Sequence, residues 1–168
     1  SRTGRAQINK EPIPLSEMVE ECKRELELEI KGRTIEWTIG NLPQVHADRP
    51  LLRQVMANLL GNAVKYSGKR EVAKIEISAK TEGEEVVVCV RDNGAGFDMK
   101  YAGKLFGVFS RLHGESEFEG TGIGLANVRR IVLRHGGRTW AEGEVDKGAA
   151  FYFSLPANPA NPGQEASK

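Results

Sequence analysis

The sequence predicts an α/β two-layer sandwich, with helices on one face of a mixed sheet. Segments with the periodicity of one helix and then two strands follow one another three times along the chain, an order that favours two packed layers. The 168 residues suffice for one domain with tails and are short for two. No apolar run approaches the roughly 20 residues that cross a bilayer.

The first part of the chain predicts a connector, a helix, two strands and a second helix. Residues 1–14 are polar and end in Pro-Ile-Pro, which interrupts a helix, so we expect a connector. Apolar residues recur at every fourth position over residues 17–30 and predict an amphipathic helix. Residues 34–39 alternate at period two and residues 44–47 follow a Gly-Asn-Leu-Pro turn, which predicts two short strands. Asp48 is a suitable N-cap for the next helix.

The second part predicts four more strands and one more helix. The strands are residues 73–79, 84–91, 138–141 and 149–155. The first two are joined at Gly83 as a hairpin, and a helix ends at His135 before two glycines. Residues 98–119 have no clear periodicity and lie between two glycine-rich segments. Residues 157–168 are rich in Pro, Asn and Ser, which predicts a disordered tail.

Charge and cysteine content exclude some functions. Lys and Arg total 24 and Asp and Glu total 23, so the net charge of +1 disfavours a nucleic-acid partner. Cys22 and Cys89 are far apart and form no CxxC pair, which argues against a disulfide framework or a zinc site and favours a cytoplasmic location. The chain does not begin with Met, so we expect a piece of a longer protein.

The helix that begins after Asp48 carries an unusual polar stripe. We expect it to end near Tyr66, and at 100° per residue Gln54, Asn58, Asn62 and Lys65 share one narrow face. Amide oxygens can ligate Mg²⁺, and an ammonium group can balance the phosphates that accompany the metal. The alternative is an ordinary solvated face.

Two glycine-rich segments are candidates for a ligand site. Asp92 ends a predicted buried strand and is followed by Gly94 and Gly96, where the missing Cβ permits close approach and the carboxylate can accept a hydrogen bond from an exocyclic amine. The alternative is a simple Asp-Asn-Gly turn. The sequence GTGIGL at residues 120–125 opens a helix, where free amides favour phosphate. Its spacing fits neither a Rossmann fingerprint nor a P-loop.

Four motifs together resemble the ATP-binding domain of sensor histidine kinases. NLLGNAVKYS at residues 58–67 is similar to the N box, DNGAGF at 92–97 to the first glycine box, FGVFSR at 106–111 to the F box, and GTGIGL at 120–125 to the second glycine box. The resemblance covers about residues 15–156. The wording around KLFGVFSRLH, RHGG and WAEG is most similar to phytochrome-type and PAS-containing bacterial sensor kinases.

The resemblance implies a fold and a set of nucleotide contacts. The fold is of the Bergerat type, with a mostly antiparallel sheet, about three helices on one face, and residues 98–119 as a mobile ATP lid. Asn62 would ligate Mg²⁺, Asp92 would accept the adenine amino group, and Arg111 would help to hold the triphosphate. The residues thus assigned to ATP binding are Asn58, Asn62, Lys65, Tyr66, Asp92, Gly94, Gly96, Phe97, Arg111, Gly120, Thr121, Gly122, Gly124 and Leu125.

The function implied is that of a phosphodonor domain in two-component signal transduction. It would pass the γ-phosphoryl group of Mg-ATP to a His on a dimerisation and phosphoacceptor domain that this chain lacks, so the chain alone would not autophosphorylate. The parent protein would be a homodimer with a response regulator as its downstream partner. Two departures stand out. Gln54 replaces the Glu base of related ATP-hydrolysing folds, and Ala150 stands where many relatives have Thr, whose hydroxyl helps to fix the adenine through a water molecule.

Two other functions stay open. One is a conformational ATPase of the gyrase, chaperone or mismatch-repair type, which Gln54 disfavours because a neutral amide cannot act as a general base. The other is a non-enzymatic adaptor with a degenerate nucleotide pocket, which the four intact motifs disfavour.

Overall fold

The computed structural model describes residues 7–107 and 123–157, which form seven strands, three α-helices and one 3₁₀ helix. The strands are β1 (Lys10–Pro14), β2 (Thr34–Ile39), β3 (Gln44–Asp48), β4 (Val72–Glu82), β5 (Glu85–Asp92), β6 (Thr139–Glu144) and β7 (Gly148–Pro156). The α-helices are α1 (Leu15–Glu29), α2 (Arg49–Tyr66) and α3 (Ile123–Arg134), and the 3₁₀ helix is Met99–Lys104. The predicted helices and strands are therefore confirmed, with ends displaced by a few residues.

Five strands form the main sheet in the order β2-β4-β5-β7-β6. β2 and β4 are parallel, and the other three pairs are antiparallel. The predicted mixed and mostly antiparallel sheet is thus confirmed. Since alternate residues of a strand face opposite sides, Val88 and its register partners Ala79 and Phe153 face the helices, and both Val88 and Phe153 are fully buried.

The central helix α2 packs against the sheet and against both of the other helices. Asp48 caps it as predicted, because its Oδ1 accepts a hydrogen bond from the Leu51 amide at 3.2 Å. One side of the helix is apolar and packs in the core with the sheet and with α1 and α3. Its buried residues are Leu52, Val55, Met56, Leu59, Leu60, Ala63 and Val64. This packing leaves Gln54 and Asn58, two amide side chains of the stripe, on the side of α2 that contacts α3.

The prediction that residues 1–14 serve only as a connector was wrong for the last five. Lys10–Pro14 form β1, which pairs antiparallel with β3 in a separate two-stranded sheet. Ile13 is fully buried, and the Asn9 amide donates to Asp48 Oδ2 at 3.0 Å. Prolines are compatible with this strand because it lies at an edge, where not every backbone N–H needs a partner.

The first residues of the predicted lid pack on the domain. The helix Met99–Lys104 lies beside β6, where the Gly143 amide contacts Met99 Sδ at 3.3 Å, and the next two residues, Leu105 and Phe106, are buried. The rest of the segment predicted to be mobile, from residue 108 onward, lies outside the described ranges. Among the described helices, none has the length and apolarity that a bilayer span requires.

Candidate functional site

Three parts of the chain that are distant in sequence meet at one side of the domain. These are the second half of α2, the end of β5 with the loop after it, and the first turn of α3. The Asn58 Nδ2 atom donates to the Gly124 carbonyl at 3.3 Å, which joins the predicted N box to the second glycine box across 66 positions. The structure therefore brings together motifs that the sequence analysis could only associate by order.

Asn62 and Lys65 lie on the same stripe of α2 as Asn58. The Asn62 side chain is half-buried and makes no hydrogen bond to the residues that the structure describes. The Lys65 ammonium lies 5.7 Å from the centre of the Tyr66 ring. The Tyr66 carbonyl accepts from the Ala95 amide at 3.0 Å, so the end of α2 is tied to the loop that follows β5.

Gln54 lies one turn before Asn58 and is held by α3. Its Oε1 atom accepts a hydrogen bond from Asn127 Nδ2 at 2.9 Å, and Arg130 in turn contacts Asn127. The position that carries a Glu base in related ATP-hydrolysing folds is therefore a neutral amide whose oxygen already has a donor.

Asp92 is a buried carboxylate at the end of β5. Its side chain is 5% exposed, and its Oδ1 atom accepts a hydrogen bond from the Gly94 amide at 2.8 Å. Burial raises its pKa from 3.8 to about 6, and the backbone amides of Gly94 and Ala149 oppose this rise. A carboxylate kept ionised at neutral pH in such surroundings is a strong hydrogen-bond acceptor for a ligand.

Gly94 and Gly96 are required by the protein's own packing. A Cβ on Gly94 would lie 2.3 Å from the Tyr66 carbonyl oxygen, and a Cβ on Gly96 would lie 1.9 Å from that of Glu144. Gly96 also has a φ of +66°, which side chains disfavour. The close approach that these glycines permit within the protein is thus to α2 and to the β6–β7 turn, whereas the expected approach was to a ligand.

Two side chains assigned to ATP binding lie in the core. Phe97 is 3% exposed, and its ring centre is 6.2 Å from that of Phe151. Leu125 is also buried. These side chains shape the site through packing.

The strand register corrects the position of the missing hydroxyl. Asp92 pairs with Ala149, whereas Ala150 pairs with Arg91 on the opposite face of the sheet. Because alternate residues of β7 face opposite sides, Ala149 lies beside Asp92 and Ala150 does not. The expectation that the missing hydroxyl at Ala150 affects the adenine site is therefore wrong, and Ala149 is the position beside Asp92.

Two residues of the site were missed by the sequence analysis. The side-chain amide of Asn93 forms two hydrogen bonds with the backbone of β4, as a neighbouring strand would. Its Oδ1 accepts from the Lys74 amide at 2.8 Å, and its Nδ2 donates to the Val72 carbonyl at 3.0 Å. Arg70 follows α2 and donates to three backbone carbonyls, those of Asn93, Gly94 and Asp146. A basic residue in the turn after the N box is the only signal in the sequence, and it fits many surface positions.

The remaining predicted contacts lie outside the described ranges. These are Arg111, Gly120, Thr121 and Gly122. In residues 7–107 and 123–157, no three side chains of His, Cys, Asp or Glu form a cluster that could hold a metal ion. A metal bound by the described residues would therefore need oxygen ligands other than a cluster of carboxylates. The side-chain oxygen of Asn62 is one candidate.

The family follows from the sequence profile that the chain matches. The profile described as "Histidine kinase-, DNA gyrase B-, and HSP90-like ATPase" matches residues 47–159, more than half of the chain. The chain belongs to this ATPase family.

Within the family, the chain is similar to sensor histidine kinases. It is 40% identical over 157 residues to the methanogenesis regulatory histidine kinase FilI of Methanothrix harundinacea, an alignment that covers 93% of this chain and 18% of FilI. It is 36% identical over 142 residues to the phytochrome-like protein Cph1 of Synechocystis, covering 84% and 19%. The chain thus spans less than a fifth of the length of these relatives.

Solved structures agree with this assignment. The nucleotide-free catalytic domain of histidine kinase ThkA superposes with a TM-score of 0.75 at 28% identity, covering 90% of this chain and 100% of that one. Full-length ShkA in complex with AMPPNP superposes with a TM-score of 0.73 at 28% identity, and the match covers 89% of this chain and 31% of ShkA. ThkA in complex with the response regulator TrrA superposes with a TM-score of 0.71 at 26% identity, and the match covers 90% of this chain and 42% of that one. The predicted resemblance to sensor histidine kinases is confirmed.

Proposed function

We propose that this domain binds Mg-ATP and donates the γ-phosphoryl group to a histidine on a separate dimerisation and phosphoacceptor domain. The observation that carries the proposal is the buried Asp92 carboxylate, held by the Gly94 amide at one end of a site whose other end is the junction of Asn58 with Gly124. Asp92 would accept the adenine amino group. The first turn of α3 would lie near the phosphates, where unpaired backbone amides favour negative charge.

Asn62 suits the role of a Mg²⁺ ligand. Its side chain is half-buried and makes no hydrogen bond to the residues that the structure describes, and it follows Asn58 by one helical turn. Mg²⁺ takes few protein ligands and completes its octahedron with water and phosphate oxygens. The bound ion would neutralise phosphate charge, and Asn62 would hold it on the α2 side of the site.

The neutral Gln54 favours phosphoryl transfer to a protein over hydrolysis. A general base must accept a proton from the attacking water, and an amide cannot. Transfer to a histidine instead depends on placing the nucleophile in line with the γ-phosphate, which the partner domain would provide.

The domain organisation and partners are part of the proposal. Residues 15–156 would form the catalytic domain, with β1 packed onto it, and residues 157–168 would form a tail. The partners would be the protein's own phosphoacceptor domain, as part of a homodimer, and a response regulator. The ThkA–TrrA complex supports a partner of the second kind. We propose a cytoplasmic location for the domain.

Titration with ATP and a turnover assay test the proposal against its alternatives. We expect the chain to bind ATP more tightly with Mg²⁺ than without it, and to release almost no free phosphate. Sustained hydrolysis by the isolated chain would support a conformational ATPase. Failure to bind any adenine nucleotide would support an adaptor.

A further inference from the structure

Arg70 lies in the turn after α2 and binds the backbone of the loop that follows Asp92. Its guanidinium donates from Nε to the Asn93 carbonyl at 2.7 Å and from Nη2 to the Gly94 carbonyl at 3.0 Å. The same Nη2 atom donates to the Asp146 carbonyl, also at 2.7 Å. The backbone of Arg70 is itself fixed, because its amide donates to the Ser67 carbonyl at 3.0 Å.

One peptide unit connects Arg70 to the Asp92 carboxylate. The Asn93 carbonyl, which accepts from Arg70, and the Gly94 amide, which donates to Asp92 Oδ1 at 2.8 Å, belong to the same planar group. Fixing the carbonyl end of that plane therefore fixes the direction of the N–H at its other end. A cationic donor on the carbonyl also polarises the peptide and strengthens the N–H as a donor.

Arg70 also holds two loops together. Asp146 lies in the β6–β7 turn with a φ of +63°, and its amide donates to the Ala95 carbonyl at 2.7 Å while its carbonyl accepts from Arg70. The loop after β5 is thereby joined to the turn before β7, the strand that carries Ala149 beside Asp92. The planar guanidinium suits this task, because its donors point in fixed directions that a lysine ammonium cannot reproduce.

We propose that Arg70 is a positioning residue for adenine recognition, which orients the Asp92 carboxylate through the Asn93–Gly94 peptide. The inference rests on the proposed function, in which Asp92 accepts the adenine amino group. It predicts that loss of Arg70 weakens the distinction between bases more than it weakens binding of the phosphates.

Arg33 provides a matched control. It also donates to a backbone carbonyl near the end of α2, that of Val64 at 2.8 Å, and it contacts Ser67 Oγ at 3.4 Å. It makes no hydrogen bond to the loop after Asp92 among the described contacts. Loss of Arg33 should therefore lower stability without changing base selection.

The test compares ADP with IDP, whose base has a carbonyl oxygen in place of the adenine amino group. Affinities are measured by calorimetry for the wild type, Arg70→Gln, Arg70→Lys and Arg33→Gln. We expect the wild type and Arg33→Gln to prefer ADP about tenfold, as expected for one hydrogen bond to a charged acceptor. In Arg70→Gln the preference should fall to less than about threefold, and Arg70→Lys should be intermediate since it keeps the charge without the two-directional contact.

A second readout follows the ionisation of Asp92. The pH at which ADP affinity is half lost should rise in Arg70→Gln, because the carboxylate loses part of its support from the Gly94 amide. If Arg70→Gln and Arg70→Lys keep the wild-type ADP to IDP ratio and pH profile, Arg70 has only a structural role and the inference is wrong. If the wild type itself does not prefer ADP, the proposed adenine site is wrong, and the inference fails with it.

Discussion

Replacing Asp92 with Asn should stabilise the fold and weaken nucleotide binding. Burial holds the pKa of Asp92 at about 6, against 3.8 for an ordinary carboxyl. The folded-state value is raised, so ionisation costs stability as the pH rises through it. A difference of roughly two pKa units corresponds to about 3 kcal/mol at pH 7, which is an upper limit for the gain in the free energy of unfolding.

Binding should change in the opposite direction for a geometric reason. The Gly94 amide occupies Oδ1 of Asp92, so the amide oxygen of Asn takes that position and its NH₂ group takes the other. Two donors, this NH₂ group and the adenine amino group, would then face each other. Loss of a hydrogen bond to a charged acceptor costs about 1.5–3 kcal/mol, so ADP affinity should fall at least about tenfold, whereas IDP affinity should fall less.

Urea denaturation and calorimetry between pH 4.5 and 7.5 test both halves of this prediction. The gain in stability of Asp92→Asn over the wild type should be smallest at the acid end, grow up to about pH 6, and then level off, because the carboxyl titrates at 3.8 when unfolded and at about 6 when folded. Asp98→Asn is the control, because Asp98 is an exposed carboxylate whose Oδ1 caps the Lys100 amide, a role that Asn also fills. Lower stability of Asp92→Asn at pH 7, or unchanged ADP affinity, would refute the account of this carboxylate.

Three further predictions follow from the site and its supports. Asn62→Ala should abolish the Mg²⁺-dependent gain in ATP affinity and spare metal-free ADP binding, and equal losses in both titrations would indicate a structural role. Ala149→Ser should place a hydroxyl beside Asp92 and lower the pH at which ADP affinity is lost, whereas Ala150→Ser on the opposite face should not, and equal effects would contradict the register argument. His135 is buried and neutral, accepting from the Asp48 amide at 3.0 Å, and burial lowers its pKa. The stability that it provides should be present above pH 6.5 and lost as the pH falls through its lowered value, so His135→Gln should show a smaller acid-induced loss of unfolding free energy than the wild type. Identical pH dependence of the two proteins would exclude this role.

Local patterns in the sequence predicted most of the fold. The alternation in residues 34–39 and the N-cap Asp48 each determine an element within a few residues of themselves, and both are confirmed. β1 was missed because its two prolines argue against a strand, and its stability comes from pairing with β3 and from the burial of Ile13. Such long-range compensation leaves no periodic signal in the segment itself.

The site was predicted in its composition and less well in its geometry. The spacing of Asn58 and Asn62 places both on one face of a helix, so their proximity follows from the sequence. The pairing of Asp92 with Ala149 depends on strand register, which neighbouring motifs do not reveal. Arg70 acts through backbone carbonyls, and every residue has a carbonyl, so no pattern of side chains could have identified its partners.

Phosphoryl transfer in trans tests the central claim most directly. The 168-residue chain is incubated with γ-labelled ATP, alone and together with a separate polypeptide that contains the proposed dimerisation and phosphoacceptor domain. We expect acid-labile, base-stable label on the added region and none on the chain alone, at a rate limited by weak encounter between the two pieces. Label on the isolated chain, or no label on the added region when both are present and ATP is bound, would contradict the assignment of this domain as a histidine phosphodonor.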